Sequence, residues 1–494
     1  RFGGRMGQDE RHRQVEQQMR EFFTKALPKP AAPSAQLALR TVIVIGAGLA
    51  GLSAAWWLKR MGLGRVVVLE ARDAVGGRVR SLTDFSPGRI IEAGAELIGV
   101  NHPLWHFFAR KFGLGLTAIA AQRDYQDAGL AIPTYLNGSL LDRDQLMLVY
   151  HEMTAALEQI SREAEPVDPY RPWRTPDAAA LDAQSVAERL AALPVSELTR
   201  EALRTHLEND NAATTEHQSY LGLLSLVRGG GLMNYWRHTE IFRCDTGNQM
   251  LATRLLHAVQ EQEGSRVLLA HPVGRITITD GGDHAVVTAS GTDFGGDYVV
   301  LAVPPSIWPE IAISPALPPY LRPHLGPAVK YLSNLRSRFW VRAGLAPCGL
   351  SDELGETWEG TDTQAVPATQ GCELTVFAGG PEAEAALSAP DPRHYFTAGL
   401  EPLLPGYSDN VLNTLFAAWP RAPWTRTGYS APAPGQVTTI GPVLNSAHHG
   451  RLFFAGEHVS TAFFGHMEGA LQSGLLAALR ILRQEGVPSA FADI

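Results

Sequence analysis

The hydrophobic pattern changes period several times along the chain, and each change predicts an element. Residues 8 to 27 carry Val15, Met19, Phe22, Phe23 and Leu27 at spacings of 4, 3, 1 and 4, which is one apolar helical face on a charged segment. Such a face packs on its own protein or forms a dimer contact. Pro28 to Pro33 then predict a stiff linker. Val42 to Ile45 is a short β-branched run without charge, the pattern of a buried parallel strand, and Leu49 to Met61 continues as helix. Val66 to Leu69 predicts a second strand, and Ile90 to Leu97 an acid-containing strand that ends in Gly94. Residues 140 to 227 read as helical, broken by Pro166, Pro169, Pro172 and Pro176. Four short strands follow, Val267 to Ala270, Val273 to Thr279, His284 to Ser290 and Asp297 to Val303, punctuated by glycine pairs. Leu374 to Phe377 and Asn413 to Trp419 are further strands. Arg451 to Ala455 is the last strand, and a long helix runs from near Met467 to about residue 484.

A chain of 494 residues is too long for one core and implies two or more domains. Its 45% hydrophobic and 19% charged content fits a soluble globular enzyme, and a net charge of −8 gives no reason to expect nucleic acid or an anionic membrane as partner. No run of 18 apolar residues predicts a membrane span, and no secretory apolar segment is visible near the first residues. Three widely spaced cysteines, Cys244, Cys348 and Cys372, argue against a disulfide framework or a zinc site, so no metal is expected. The cytoplasm is the expected compartment; a removed export leader is also compatible with the sequence.

Candidate chemistry is densest between residues 41 and 80. Gly46, Gly48 and Gly51 stand in G-x-G-x-x-G spacing between the first strand and the first helix. Gly46 permits the turn, Gly48 lets backbone approach a pyrophosphate, and Gly51 lets the helix pack close to the strand. The helix N-terminus offers free N–H groups to phosphate. Glu70 closes the second strand 19 residues after Gly51, where a carboxylate accepts ribose hydroxyls, so FAD or NAD fits better than NADP. Gly76, Gly77 and Arg78 follow directly, and a second loop with an arginine suits the longer flavin dinucleotide.

With these two glycine motifs together, the sequence resembles the flavin amine oxidase family of monoamine, polyamine and L-amino-acid oxidases, most of all a bacterial L-amino-acid oxidase. The far end strengthens the resemblance: Phe454-Ala-Gly-Glu457 is followed by Gly465-His-Met-Glu-Gly-Ala-Leu-Gln-Ser-Gly474. The resemblance implies an α/β fold with a Rossmann-like FAD-binding domain, a mixed-sheet substrate domain and a helical insertion. It implies the following division: an N-terminal helix and linker over 1–34, FAD-binding segments over 35–115, 245–306 and 425–494, and substrate-domain segments over 116–244 and 307–424. FAD is expected on Gly46, Gly48, Gly51, Glu70, Ala71, Arg72, Gly77, Arg78, Gly94, Ala95, Glu96, Val273, Gly456, Glu457, Gly465, His466 and Met467. The helix opening at Met467 aims its positive end at the flavin edge that gains charge on reduction.

Lys330 matches the family's lysine that holds a water beside flavin N5, and Tyr429 one wall of its aromatic cage. His466 stands where relatives carry tyrosine or tryptophan, and would tune pH dependence if it titrates near neutrality. Lys330, His466 and Tyr429 are therefore the expected catalytic residues, with Arg237, Trp424, Tyr429 and Gly465 around the substrate. The arginine that binds the substrate carboxylate in many amino-acid oxidases has no counterpart near Glu96 and Leu97, so Arg237 or Arg228 is the candidate anchor. Gly428 occupies the place of a flavin-linking cysteine, which implies noncovalent FAD. The implied reaction is oxidative deamination of an L-amino acid by hydride transfer to flavin N5, yielding a 2-oxo acid, ammonia and hydrogen peroxide with molecular oxygen as acceptor. A primary amine or polyamine oxidase and an oxygen-avoiding flavin dehydrogenase or desaturase are the alternatives. A homodimer is expected.

Overall fold

The computed structural model describes residues 7–26, 35–279, 281–364 and 371–487. The proline-rich segment Pro28 to Pro33 lies outside them. The β-branched run forms the strand Thr41–Ile45 at the centre of a five-stranded sheet, flanked by Tyr298–Leu301 on one side and Arg65–Leu69 on the other. Leu452–Phe454 and Ser265–Leu268 complete the two edges, and every pairing is parallel. Both faces of this sheet are covered, which is why Val42, Ile43 and Val44 need no polar alternation. One face carries the helix Leu49–Arg60, and the C-terminal helix Met467–Gln484 packs across it. The crossing is close because Gly474 stands on it, where a Cβ would come within 2.3 Å of the Ala50 carbonyl oxygen.

The other face carries a four-stranded sheet ordered Thr292–Gly296, Ala285–Ala289, Val273–Ile278 and Ala312–Ser314. The four short strands expected between residues 267 and 303 therefore do not share one sheet. The first and last of those predicted strands belong to the parallel sheet, and Thr292–Gly296 was not predicted. Short apolar runs look alike in both settings; only their partners differ. The predicted strand from Ile90 to Leu97 is likewise reduced to Ile91–Glu92, paired with Ser81–Leu82.

A seven-stranded mixed sheet forms the second layer, ordered Val411–Ala418, Ala328–Leu335, Cys372–Gly379, Gly355–Glu359, Gly349–Ser351, Thr134–Leu136 and Ser139–Leu140. Helices Arg143–Ala164, Glu197–Asn211 and Tyr220–Gly229 form a separate apolar cluster beside it. The fold is thus mixed α/β, as the resemblance implied. The first helix, Gln8–Ala26, packs on its own chain: Val15 and Phe22 are buried, and the Phe23 ring lies 4.9 Å from that of Phe107. No helix among the described residues is long and apolar enough to cross a membrane.

Candidate active site

A cavity of about 1030 Å³ runs between the parallel sheet and the mixed sheet. That exceeds the usual range for a single small ligand and suits a dinucleotide together with a substrate. Of the residues singled out from the sequence for cofactor, catalysis or substrate, all but Gly51 and Arg228 line it. Gly51 acts one layer back: a Cβ there would lie 1.9 Å from the Gly46 carbonyl oxygen, so only glycine lets the helix start this close to the strand. Gly46 itself turns at φ +103°, and Gly48 leaves its Cβ side open, with Gly77 Cα the nearest atom at 3.8 Å.

Glu70 is buried at the end of its strand, and its carboxylate is fixed by the backbone N–H groups of Ala47 at 2.7 Å and Arg72 at 3.0 Å. Each oxygen keeps a lone pair for a ribose hydroxyl. Arg78 is tied to the far end of the chain. Its Nη1 donates to Glu457 Oε1 at 2.8 Å and to the Gly428 carbonyl at 2.9 Å. Glu457 also accepts from Ser430 Oγ at 2.6 Å and Gly465 N at 2.7 Å. Burial pushes its pKa up, but Arg78 and these donors outweigh that and hold it below the usual carboxylate range. Glu457 therefore stitches three cavity segments together.

At the other end Lys330 sits on Ala328–Leu335, a strand paired on both sides, so it is a buried central-strand lysine and not an edge device. Its Nζ donates to Glu96 Oε2 at 2.6 Å and to the Glu92 carbonyl at 3.1 Å. Glu96 was expected to contact the cofactor. It lines the cavity, yet its carboxylate is taken up by Lys330, by Arg243 Nε at 2.6 Å and by Trp358 Nε1 at 3.1 Å. Burial alone would raise its pKa, but Lys330 and Arg243 bring it down to about 2. For neighbouring Glu92 and Glu373 the opposing contributions are too weak, and burial pushes them up to about 7 and about 8.

Tyr429 is held by its hydroxyl, which donates to the Asp210 carbonyl at 2.8 Å. Gly465 lies against it, where a Cβ would come 3.0 Å from the ring. His466 Nδ1 lies 2.8 Å from the Phe464 carbonyl, so that nitrogen carries the proton and Nε2 is the acceptor. Burial lowers its pKa despite that hydrogen bond, which favours the neutral ring. Trp424 lines the cavity and stays 40% exposed. Arg237 also lines it, exposed, and makes no ion pair among the described residues. Arg228 is exposed and not part of the lining.

Sequence reasoning missed a further group on the lining. His206 and Asp210 lie one turn apart on Glu197–Asn211, and Glu356 faces them from the mixed sheet. His206 Nδ1 is 3.1 Å from Glu356 Oε1, and Nε2 is 3.5 Å from Asp210 Oδ2. The three donors lie within 4.8 Å of one another, a spacing that could hold a metal ion. Both ring nitrogens already face carboxylates, however, which makes an ion triad the simpler description. Burial pushes Asp210 up to about 7 against the pull of His206. No motif marks these residues; only the fold brings strand and helix together. Trp419 was also missed; its Nε1 donates to the Ala93 carbonyl at 2.8 Å on the same lining.

The family described as flavin containing amine oxidoreductase matches residues 49–482. The chain belongs to it. An amine oxidase of Oncorhynchus mykiss is 27% identical over 478 residues, covering 90% of this chain and 86% of that protein. An L-amino acid dehydrogenase of a Synechocystis species is 26% identical over 488 residues, covering 92% and 98%. Among solved structures, a putrescine oxidase double mutant superposes with a TM-score of 0.78 at 21% identity, covering 90% of this chain and 99% of that one. Cyclohexylamine oxidase from Brevibacterium oxydans gives 0.77 at 24%, with the same coverage. At these identities the structures speak for the fold alone.

A flavin-containing amine oxidoreductase uses a flavin, and the residues of this one fit FAD. Glu70 and the open Gly48 backbone suit the adenosine and pyrophosphate. The N-termini of Leu49–Arg60 and Met467–Gln484 open onto the cavity through Leu49, Ala50, Met467 and Ala470.

Proposed function

We propose that this amine oxidoreductase deaminates an L-amino acid, with noncovalent FAD and molecular oxygen as electron acceptor. When bound, FAD supplies an acceptor for the hydride on the substrate α-carbon and a route for the electrons to oxygen. The observation that carries the amino-acid reading is Arg237, an arginine of the cavity lining with no ion pair among the described residues and next to Tyr235 and Trp236, which also line the cavity. It can take the α-carboxylate through two parallel N–H bonds. Arg243 cannot, because Glu96, Asp362 and the Glu359 carbonyl already occupy its donors.

The neutral amine is the reactive form. His466 Nε2 and the Tyr429 ring offer it an acceptor and an aromatic wall, and no strong base is needed on a hydride path. Losing hydride and a proton turns the amine into an imine, which water hydrolyses to a 2-oxo acid and ammonia, while oxygen takes two electrons and two protons to become hydrogen peroxide. Noncovalent binding is supported by Gly428, where a Cβ would lie 2.5 Å from Ala328 N, so a cysteine does not fit, and by a lining free of cysteine among the described residues.

Asp210 and Glu356 support a second reading, in which the substrate is a polyamine. An amino acid with a cationic side chain satisfies both sets of charges. An oxygen-consumption screen of twenty L-amino acids against tyramine, putrescine and spermidine, read out as peroxide, separates them. Turnover of the amines alone would overturn the amino-acid reading, and turnover without peroxide would overturn the oxidase.

A further inference from the structure

Lys330 is a buried cation, and a cation in a low-dielectric site is stable only if something compensates it. Glu96 supplies the compensation, and it does so as the centre of a buried row of alternating charges. Lys330 donates to Glu96 Oε2 at 2.6 Å, and Arg243 Nε donates to Glu96 Oε1 at 2.6 Å. Asp362 pairs with the far side of Arg243. Trp358 closes the box: its Nε1 donates to Glu96 Oε1 at 3.1 Å, and its ring lies 5.3 Å from Lys330 Nζ. Of the three ammonium protons on Lys330, one goes to Glu96 and one to the Glu92 carbonyl at 3.1 Å. The third is left for the cavity that Lys330 lines.

We propose that Glu96 is a positioning residue that pins Lys330 as a fixed, charged hydrogen-bond donor at the reaction end of the cavity and prevents it from acting as a base. The proposal rests on the proposed reaction and on Lys330 serving it, the catalytic role that the family resemblance implies for this lysine. Two features set it apart from ordinary packing. The carboxylate uses one oxygen on Lys330 and the other on Arg243, so the lysine's position is slaved to a guanidinium that is itself anchored to the Glu359 carbonyl at 2.9 Å. The remaining titratable groups facing Lys330 are Glu92 and Glu373, and both are held toward the neutral form. Glu96 is thus the carboxylate in direct contact with the lysine ammonium.

The test is the pH profile of amine-dependent flavin reduction in holoenzyme carrying Glu96→Gln, Lys330→Met or both. The glutamine preserves shape and one acceptor and removes the charge. An ammonium that loses an adjacent counter-charge titrates about one to three pH units lower. Glu96→Gln is therefore expected to bring an alkaline fall in reduction rate down by that amount, and the double variant to lack it. A merely structural role would lower the rate at every pH without a limb that disappears with Lys330. A Glu96→Gln profile that superposes on the wild type would overturn the proposal, as would a shifted limb that survives Lys330→Met. Should Glu96→Gln not hold flavin, Glu96→Asp takes its place, with a smaller downward shift expected and an unshifted limb overturning the proposal. A Lys330→Met enzyme with unchanged reduction and reoxidation would instead sink the role of Lys330 itself, which distinguishes the two failures.

Discussion

Adding one methyl group at Gly48 should separate cofactor binding from folding. Gly48 caps the helix Leu49–Arg60 with φ −74° and ψ 179°, a conformation any residue adopts. An added Cβ would meet nothing nearer than Gly77 Cα at 3.8 Å. The apoprotein should therefore barely notice Gly48→Ala: a gain of about 0.4–1 kcal/mol from a stiffer unfolded chain is offset by the poorer cap that alanine makes, worth about 0.5–1 kcal/mol. The methyl does point into the cavity, where a pyrophosphate would meet the helix amides. Losing one hydrogen bond to a charged group costs about 1.5–3 kcal/mol, which is about tenfold to a hundredfold in affinity. Gly51→Ala is the contrast. Its Cβ would lie 1.9 Å from a backbone oxygen, so strand and helix must separate, at a cost of about 1–3 kcal/mol or more. Thermal melts of both apoproteins and FAD titrations provide the assay. Gly48→Ala should melt with the wild type and bind FAD at least about tenfold more weakly, whereas Gly51→Ala should lower the melting temperature itself. Wild-type FAD affinity in Gly48→Ala would refute the placement of the pyrophosphate.

Other outcomes follow from the same geometry. Acid precipitation of the holoenzyme should leave the yellow colour in the supernatant; colour retained in the protein pellet would contradict noncovalent binding. Burial raises the pKa of Glu373 to about 8 from 4.5, so the folded state holds a proton there that the unfolded chain releases above about pH 4.5. Its contribution is fully present below that pH and is lost as pH rises toward 8. Glu373→Gln should accordingly leave the melting temperature unchanged at pH 5 and raise it at pH 8.5, and equal effects at the two pH values would count against the assignment. Arg237→Met should raise KM for L-amino acids by about tenfold to a hundredfold, the worth of a charge-assisted hydrogen bond, and leave simple amines unaffected. An equal effect on both substrate classes would remove Arg237 as the carboxylate anchor.

The nucleotide end of this protein was readable because its chemistry is local. Gly46 to Glu70 lie within one strand–helix–strand unit, where spacing alone dictates which backbone faces a phosphate. Arg78 and Glu457 were both legible as motif residues, but their 2.8 Å pairing across 379 positions was not. The reaction end was less readable for the same reason. Glu96, Lys330, Trp358 and Arg243 come from four distant segments, and each looks like an ordinary residue until the sheets meet. The acid–imidazole triad of His206, Asp210 and Glu356 left only a helical i, i+4 pair in the sequence, a spacing that surface helices show constantly. His466 was visible as an unusual residue in a known motif. Its protonation depends on burial and on the Phe464 carbonyl, which no pattern of neighbours encodes.

The proposed reaction is oxidation of the C–N bond of an amino acid at a flavin bound in this cavity. The direct measurement is anaerobic mixing of the holoenzyme with L-amino acids, including L-arginine and L-lysine, with visible flavin absorbance followed over time and the product assayed after air is admitted. Bleaching by at least one L-amino acid is expected, then return of colour with formation of one 2-oxo acid, one ammonia and one hydrogen peroxide per flavin reduced. Bleaching by amines but by no amino acid would contradict the substrate assignment, and absence of bleaching by either class would contradict the claim as a whole.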